Sequence, residues 1–168
     1  RTSSKTPERG MNLPGRSAPG SRRALMSTTT DSPWVVLKFG GTSVSNARNW
    51  KNVAAVVRMR LAETVRPVVV HSALSGITDR LEQLLLRAPS GDWPPVMTQI
   101  EERHRALARE LGMQAVLDLE QHLEELRRVA SGIQLIGEVS DRLRARVMAA
   151  GELMATRLGA AYLGGITF

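Results

Sequence analysis

Apolar residues along this chain fall into two short continuous runs and several longer stretches with three- and four-residue spacing. Trp34-Val-Val-Leu37 is a β-branched run of strand length, and Val68-Val69-Val70-His71, opened by Pro67, is a second. Runs that are apolar at every position mark strands buried on both faces of a parallel sheet. Between them Trp50, Val53, Val57 and Leu61 recur on one helical face, which predicts a helix from the Ser45-Asn46 cap to about Glu63, with that face on the sheet. Strand, helix and strand then form a right-handed βαβ crossover.

Beyond the second strand the pattern is helical. A helix is expected from Arg80 to about Arg87, broken by the turn residues of Ala88-Pro-Ser-Gly-Asp-Trp-Pro-Pro95. Two charged amphipathic helices follow over about Val96 to Leu111 and Ala115 to Val129, with Ile100, Leu107, Leu111, Leu119, Leu123 and Leu126 at helical spacing. They are expected as an antiparallel pair inserted beside the sheet. From about Ser131 to Leu163 the chain is helical again, and Gly151 is expected to break or kink its path, leaving Glu152 in the first turn of a new helix. The pattern as a whole predicts an α/β fold: a parallel sheet core with helices on both faces and an inserted helical pair.

Residues 1 to 33 are rich in Ser, Thr, Pro, Gly and Arg and have no apolar period. They are expected to be a disordered basic leader, with Met26 as a natural start shortly before the first strand. The leader is Arg- and Ser-rich like a transit peptide but has no amphipathic stripe. It changes how the charge is read. Of the net +7, a surplus of four lies in the leader, where Arg1, Lys5, Arg9, Arg16, Arg22 and Arg23 face only Glu8 and Asp31. The rest is mildly basic with acids mixed throughout, and at 4% aromatic it offers little for bases to stack on, so no nucleic-acid partner is expected. Cysteine is absent, which excludes disulfides, thiolate metal sites and a catalytic thiol and suits a reducing cytoplasm. No apolar run approaches the roughly 20 residues that span a bilayer, so no membrane role is expected.

Candidate chemistry gathers at the strand ends. The first strand runs into Lys38-Phe39-Gly40-Gly41-Thr42-Ser43-Val44. Glycines without Cβ let backbone N–H groups approach an anion, a following helix adds its positive end, and Lys38 supplies a full charge, a combination suited to a polyphosphate. The P-loop is excluded because its lysine follows the glycines. Taken alone, Gly40-Gly41 would also suit a tight turn. The second strand ends in Ser72-Ala73-Leu74-Ser75-Gly76-Ile77-Thr78-Asp79, a hydroxyl-rich loop expected beside Lys38 if the strands are neighbours. Ser72, Ser75 and Thr78 are its candidates, although Thr78 or Asp79 alone would suit a helix cap. His104 and His122 fall in different helices without ligand spacing, so no metal site is expected.

Lys38 to Val44 resembles, residue for residue, the opening signature of aspartate kinases in the amino-acid kinase superfamily. The Ser72 to Leu81 stretch resembles that family's Ser-Ala-Met/Leu-x-Gly-x-Thr-Asn/Asp-x-Leu loop, and Gly151-Glu152 with Leu153 to Leu158 resembles its Gly-Glu element. Gly137-Glu138 is a second such pair, ranked lower because the Leu-Gly-Ala-Ala-Tyr162-Leu163 run does not follow it. The resemblance implies ATP and Mg²⁺ as cofactors and phosphoryl transfer to the β-carboxylate of L-aspartate, in the biosynthesis of lysine, threonine, methionine and diaminopimelate. It implies Lys38 as the catalytic charge; Lys38, Phe39, Gly40, Gly41 and Ser43 at the nucleotide; and Ser72, Thr78 and Glu152 at the substrate. A homo-oligomer is implied for the full-length protein. The wording around the motifs is most similar to the kinase half of bifunctional aspartate kinase/diaminopimelate decarboxylase proteins. The resemblance covers about residues 34 to 163, and Gly164-Gly165-Ile166-Thr167-Phe168 does not resemble the family's continuation into further ATP-binding strands. Residues 34 to 168 are therefore expected to be the N-terminal portion of a kinase domain. The alternative is a catalytically inactive fragment with at most phosphate or partner binding.

Overall fold

The computed structural model describes residues 32–113 and 116–164. Expectations for the leader up to residue 31, for the helix start at Ala115 and for residues 165–168 lie outside the described residues. The elements are β1 (Trp34–Phe39), a 3₁₀ turn (Gly41–Val44), α1 (Ala47–Ala62), β2 (Arg66–His71), α2 (Ile77–Arg87), α3 (Pro94–Glu110), α4 (Leu117–Ile136) and α5 (Asp141–Leu163).

The two strands pair in parallel, with Trp34 opposite Arg66 and Phe39 opposite His71. Alternate residues point to opposite faces. One face carries Val35, Leu37 and Phe39 with Pro67, Val69 and His71. Trp50 of α1 meets the His71 ring edge-on at 5.4 Å, and Gly159 of α5 fits against both rings. The other face carries Trp34, Val36 and Lys38 with Arg66, Val68 and Val70. There Trp34 is 65% exposed and Val36 67%, and the Arg66 guanidinium lies 5.0 Å from the centre of the Trp34 ring. The continuous apolar runs predict burial and helices on both faces of the sheet; among the described residues the helices cover the Trp50 side, and this side is open.

α1 begins where expected, because the Asn46 side chain accepts from the Asn49 N–H at 2.9 Å and caps it. Trp50 and Val53 are buried, and Val57 is half-buried. Leu61, expected on the same face, is 55% exposed, since it lies in the last turn of α1, one short connection before β2 begins.

The larger part of the core lies among the helices. Leu81, Leu84 and Leu85 of α2, Ile100 and Leu107 of α3, Leu119, Leu123 and Ile133 of α4, and Met154 and Leu158 of α5 are all buried. α3 and α4 run antiparallel as expected, with Glu101 paired to Arg127 at 2.5 Å and Glu120 to Arg105 at 2.7 Å. α4 and α5 are antiparallel too, joined by Glu125 to Arg146 and Asp118 to Arg157.

Helix boundaries late in the chain differ from expectation. α4 continues past Val129 to Ile136 and is stopped by Gly137 in the left-handed conformation (φ 82°), after which Ser140 caps α5 through the Leu143 N–H. Gly151 does not break the path. It sits inside the continuous α5, buried, and a Cβ there would lie 3.0–3.1 Å from Leu81, Ala73 and Ile77. Its lack of a side chain lets α5 pack closely on α2, and Glu152 is therefore a mid-helix residue.

His104 is a structural histidine. It is fully buried, and because a carbonyl can only accept, its Nδ1–H donates to the Ile100 carbonyl at 2.7 Å. Nε2 is then the deprotonated nitrogen, and it has no partner. Burial lowers the pKa to about 4.

Candidate active site at the strand ends

Parallel pairing brings the carboxyl ends of β1 and β2 level. Phe39 faces His71, and the Ser72 N–H donates to the Phe39 carbonyl at 3.2 Å. Lys38, exposed and opposite Val70, stands at the last turn of β1 before the glycines. The loop expected beside it is beside it.

The turn after β1 is held from within. The Ser43 N–H donates to the Gly40 carbonyl at 2.9 Å, and the buried Trp50 indole donates to the Val44 carbonyl at 2.8 Å. The two glycines serve different ends. A Cβ on Gly40 would meet nothing within 4 Å, so the backbone there is open to a ligand. A Cβ on Gly41 would lie 2.7 Å from the Ala73 carbonyl, so Gly41 is the point at which the two loops touch. An open depression of about 240 Å³ adjoins the turn, lined by Phe39, Thr42 and Ser43 with Asn49, Asn52 and Val53 of α1.

On the second loop, Ser72 directly follows β2 and is half-buried. The His71 Nδ1 lies 3.2 Å from the Ser72 carbonyl, and burial lowers the His71 pKa. α2 starts earlier than expected, at Ile77, so Thr78 lies in its first turn, exposed. The cap position is Gly76, left-handed at φ 77°, and no side chain caps the helix. Neither Thr78 nor Asp79 is a cap, and the first turn of α2, which follows directly on the loop after β2, has no side-chain cap.

Glu152 is exposed on α5, next to Gly151 and therefore next to the contact with Ala73 and Ile77, and it interacts electrostatically with His71. Glu138 lies elsewhere. Gln134, four residues before it, bonds Trp93 at 2.8 Å in the loop after α2, at the end of that helix opposite Thr78. The geometry thus groups Lys38, Gly40, Gly41 and Ser43 with Ser72 and Thr78 at one end of the sheet, and sets Glu152 beside the segment that carries them.

Sequence reasoning treated Ser45 only as part of a helix cap and gave Arg103 no role. Ser45 bridges the two loops, and the Arg103 guanidinium donates to the Ser45 carbonyl. Glu110 accepts from the Ala47 N–H at 3.1 Å. No local pattern marks these residues, because each acts on a partner far along the chain.

A larger depression of about 730 Å³ lies between α4 and α5, away from the strand ends. Its charges pair with one another, Arg128 with Glu124 and Arg146 with Glu125, so it is a solvated ion-pair surface. Among the described residues no three His, Asp or Glu side chains converge on a metal position, and no helix is long and apolar enough to cross a membrane.

A parallel βαβ unit with a glycine turn and a hydroxyl loop at its carboxyl end defines a class, and this chain belongs to the amino acid kinase family, whose model matches residues 33–166. Within the family its relatives are aspartokinases. It is 36% identical over 136 residues to aspartokinase 2 of Arabidopsis thaliana chloroplasts, covering 78% of this chain and 24% of the relative, and 33% identical over 132 residues to the aspartokinase of Chlamydia trachomatis, covering 76% and 27%. The chain thus spans about a quarter of the length of these curated relatives. Escherichia coli aspartokinase III, solved with aspartate and ADP in the R-state, superposes with a TM-score of 0.65 at 30% identity over 79% of this chain and 29% of that one. The same enzyme in the T-state, with lysine and aspartate, gives 0.61.

Proposed function

We propose that the chain is the N-terminal portion of an aspartate kinase, which transfers the γ-phosphoryl group of MgATP to the β-carboxylate of L-aspartate and yields β-aspartyl phosphate and ADP. The observation that carries this reading is the level pairing of the two strand ends, which sets an exposed lysine and an open glycine backbone next to a hydroxyl loop and an uncapped helix start. Phosphoryl transfer asks mainly for positioning and charge neutralisation, and this end of the sheet offers both. Lys38 neutralises charge on the transferred group. Gly40 and Gly41, with Phe39 and Ser43 around them, take the phosphates through backbone N–H groups. Mg²⁺ enters with the nucleotide as part of the substrate. Ser72 and Thr78 orient the aspartate, and the carboxylate of Glu152 takes its ammonium group. A carboxylate acceptor is already nucleophilic, so no general base is required. The reading also carries a cytoplasmic setting and a homo-oligomer for the full-length protein.

The test is MgATP- and aspartate-dependent ADP formation by this chain and by Lys38→Ala. Aspartate-dependent turnover in the parent, lowered on the order of 100-fold or more in the variant, is the expected result. Equal rates in the two proteins would remove Lys38 from the chemistry. The open face at Trp34 and Val36 favours a second reading, in which this portion alone binds phosphate without turning it over. Nucleotide binding without ADP formation in the parent would select it.

A further inference from the structure

Ser45 is not presented to a ligand. It is 7% exposed, and its hydroxyl lies between the two loops of the candidate site. The Ser75 N–H donates to Ser45 Oγ at 2.8 Å, and Ser45 Oγ lies 2.6 Å from the Gly41 carbonyl. An N–H can only donate and a carbonyl can only accept, so the hydroxyl proton has one place to go. The bridge runs from Ser75 N–H through Ser45 O–H to Gly41 C=O in a single direction, and hydrogen bonds in such a chain strengthen one another.

The bridge has a directional effect. A trans peptide is planar, so its C=O and the next N–H point opposite ways. Drawing the Gly41 carbonyl inward to Ser45 aims the Thr42 N–H outward, on the exposed side of the turn. The Ser45 backbone is itself fixed, because its carbonyl accepts from Arg103 of α3. Removing the hydroxyl would leave the Gly41 carbonyl held by the 3₁₀ turn alone and the Ser75 N–H without its partner, which cuts the link between the two loops.

We infer that Ser45 is a positioning residue that couples the glycine turn to the hydroxyl loop, so that occupancy of one sets the geometry of the other. The inference deepens the proposed reading of the site and rests on it for the identity of the two ligands, MgADP at the turn and L-aspartate at the loop.

The test compares the parent chain with Ser45→Ala by two measurements. In amide hydrogen exchange, Ser75 is expected to exchange on the order of ten-fold faster in S45A, while Val69 in β2 keeps its parent rate. Unchanged exchange at Ser75 would overturn the bridge. In calorimetric titration, saturating aspartate is expected to tighten MgADP binding to the parent several-fold, and by linkage the reverse. In S45A each ligand alone binds within about two-fold of the parent and the mutual tightening is lost. Tightening that survives in S45A would overturn the coupling. A parent that binds neither ligand would overturn the reading of the site as a kinase site, whereas the exchange comparison would still decide the bridge. Ser45→Cys, close to isosteric and only a weak donor, is the second variant should S45A not fold, and its exchange at Ser75 is expected between the other two.

Discussion

Gly40 and Gly41 are neighbours of identical chemistry, and the fold uses them in opposite ways. Gly40→Ala is expected to leave thermal stability within about 0.5 kcal/mol of the parent, because nothing lies within 4 Å of the new methyl, while weakening MgADP binding by crowding the open backbone. Gly41→Ala drives a methyl to 2.7 Å from a backbone carbonyl and is expected to cost about 1–3 kcal/mol in chemical denaturation. Equal stability of the two variants would refute this division. What was legible at this scale was whatever is local. A lysine, two residues without Cβ and hydroxyls within six consecutive positions carry the proposed phosphate-site reading. Ser45 and Arg103 were not legible, because their partners are Ser75, 30 residues away, and Ser45, 58 residues away.

At the scale of elements, strands, α1 and the antiparallel α3 and α4 could be read from period and capping, whereas the glycines within the last helices could not. Whether a glycine stops a helix or lets another pack against it depends on what lies opposite. Gly137 stops α4 and Gly151 seats α5 on α2, although each is followed by a glutamate. Three substitutions separate these uses. Gly132→Ala, inside α4 with nothing near its Cβ, is expected to stabilise by about 0.5–1 kcal/mol from helix propensity. Gly159→Ala, whose methyl would lie 2.4 Å from the buried Trp50 ring, is expected to cost about 1–3 kcal/mol. Gly151→Ala should fall between them, as its neighbours are side chains that can give a few tenths of an ångström. Thermal melts of the three variants order them.

α3 also carries an acid sensitivity. His104 is held at about 4, below its ordinary 6.5, so as pH falls the unfolded chain takes up the proton first. Stability from this group is complete above about 6.5 and is lost as pH falls toward 4, up to about 3 kcal/mol in all. Burial shifts His71 in the same direction, which adds to the loss. His104→Leu is expected to flatten the urea midpoint between pH 7 and 4, and a parallel pH profile in parent and variant would assign the loss to other groups.

For the whole molecule, the two-stranded sheet is covered on the side of Trp50 and Gly159 and bare on the side of Trp34, Val36 and Val70. A contiguous apolar surface on a sheet whose strands are each paired along one edge is a template for association. The chain is expected to self-associate in sedimentation at tens of micromolar, and Val36→Lys, changing a residue 67% exposed, is expected to reduce that association without lowering the melting temperature. A monomeric parent would show that the face is satisfied as it stands. That the two strands pair in parallel was legible from their continuous apolar runs and the helix between them. Which face would stand open was not, because the alternation along β1 is apolar on both sides.

The clamp of Arg103 and Glu110 on the glycine turn bears on the order in which the molecule is made. The Lys38-to-Val44 motif is complete by Val44, but groups that tie its turn and the residues just after it to the rest of the fold come from Ser75, Arg103 and Glu110. Closing a loop of some sixty residues carries an entropic cost that must be met before those contacts return anything. A growing chain therefore possesses the motif long before it possesses the site, and ligand competence during refolding should lag behind helix formation until α3 has docked.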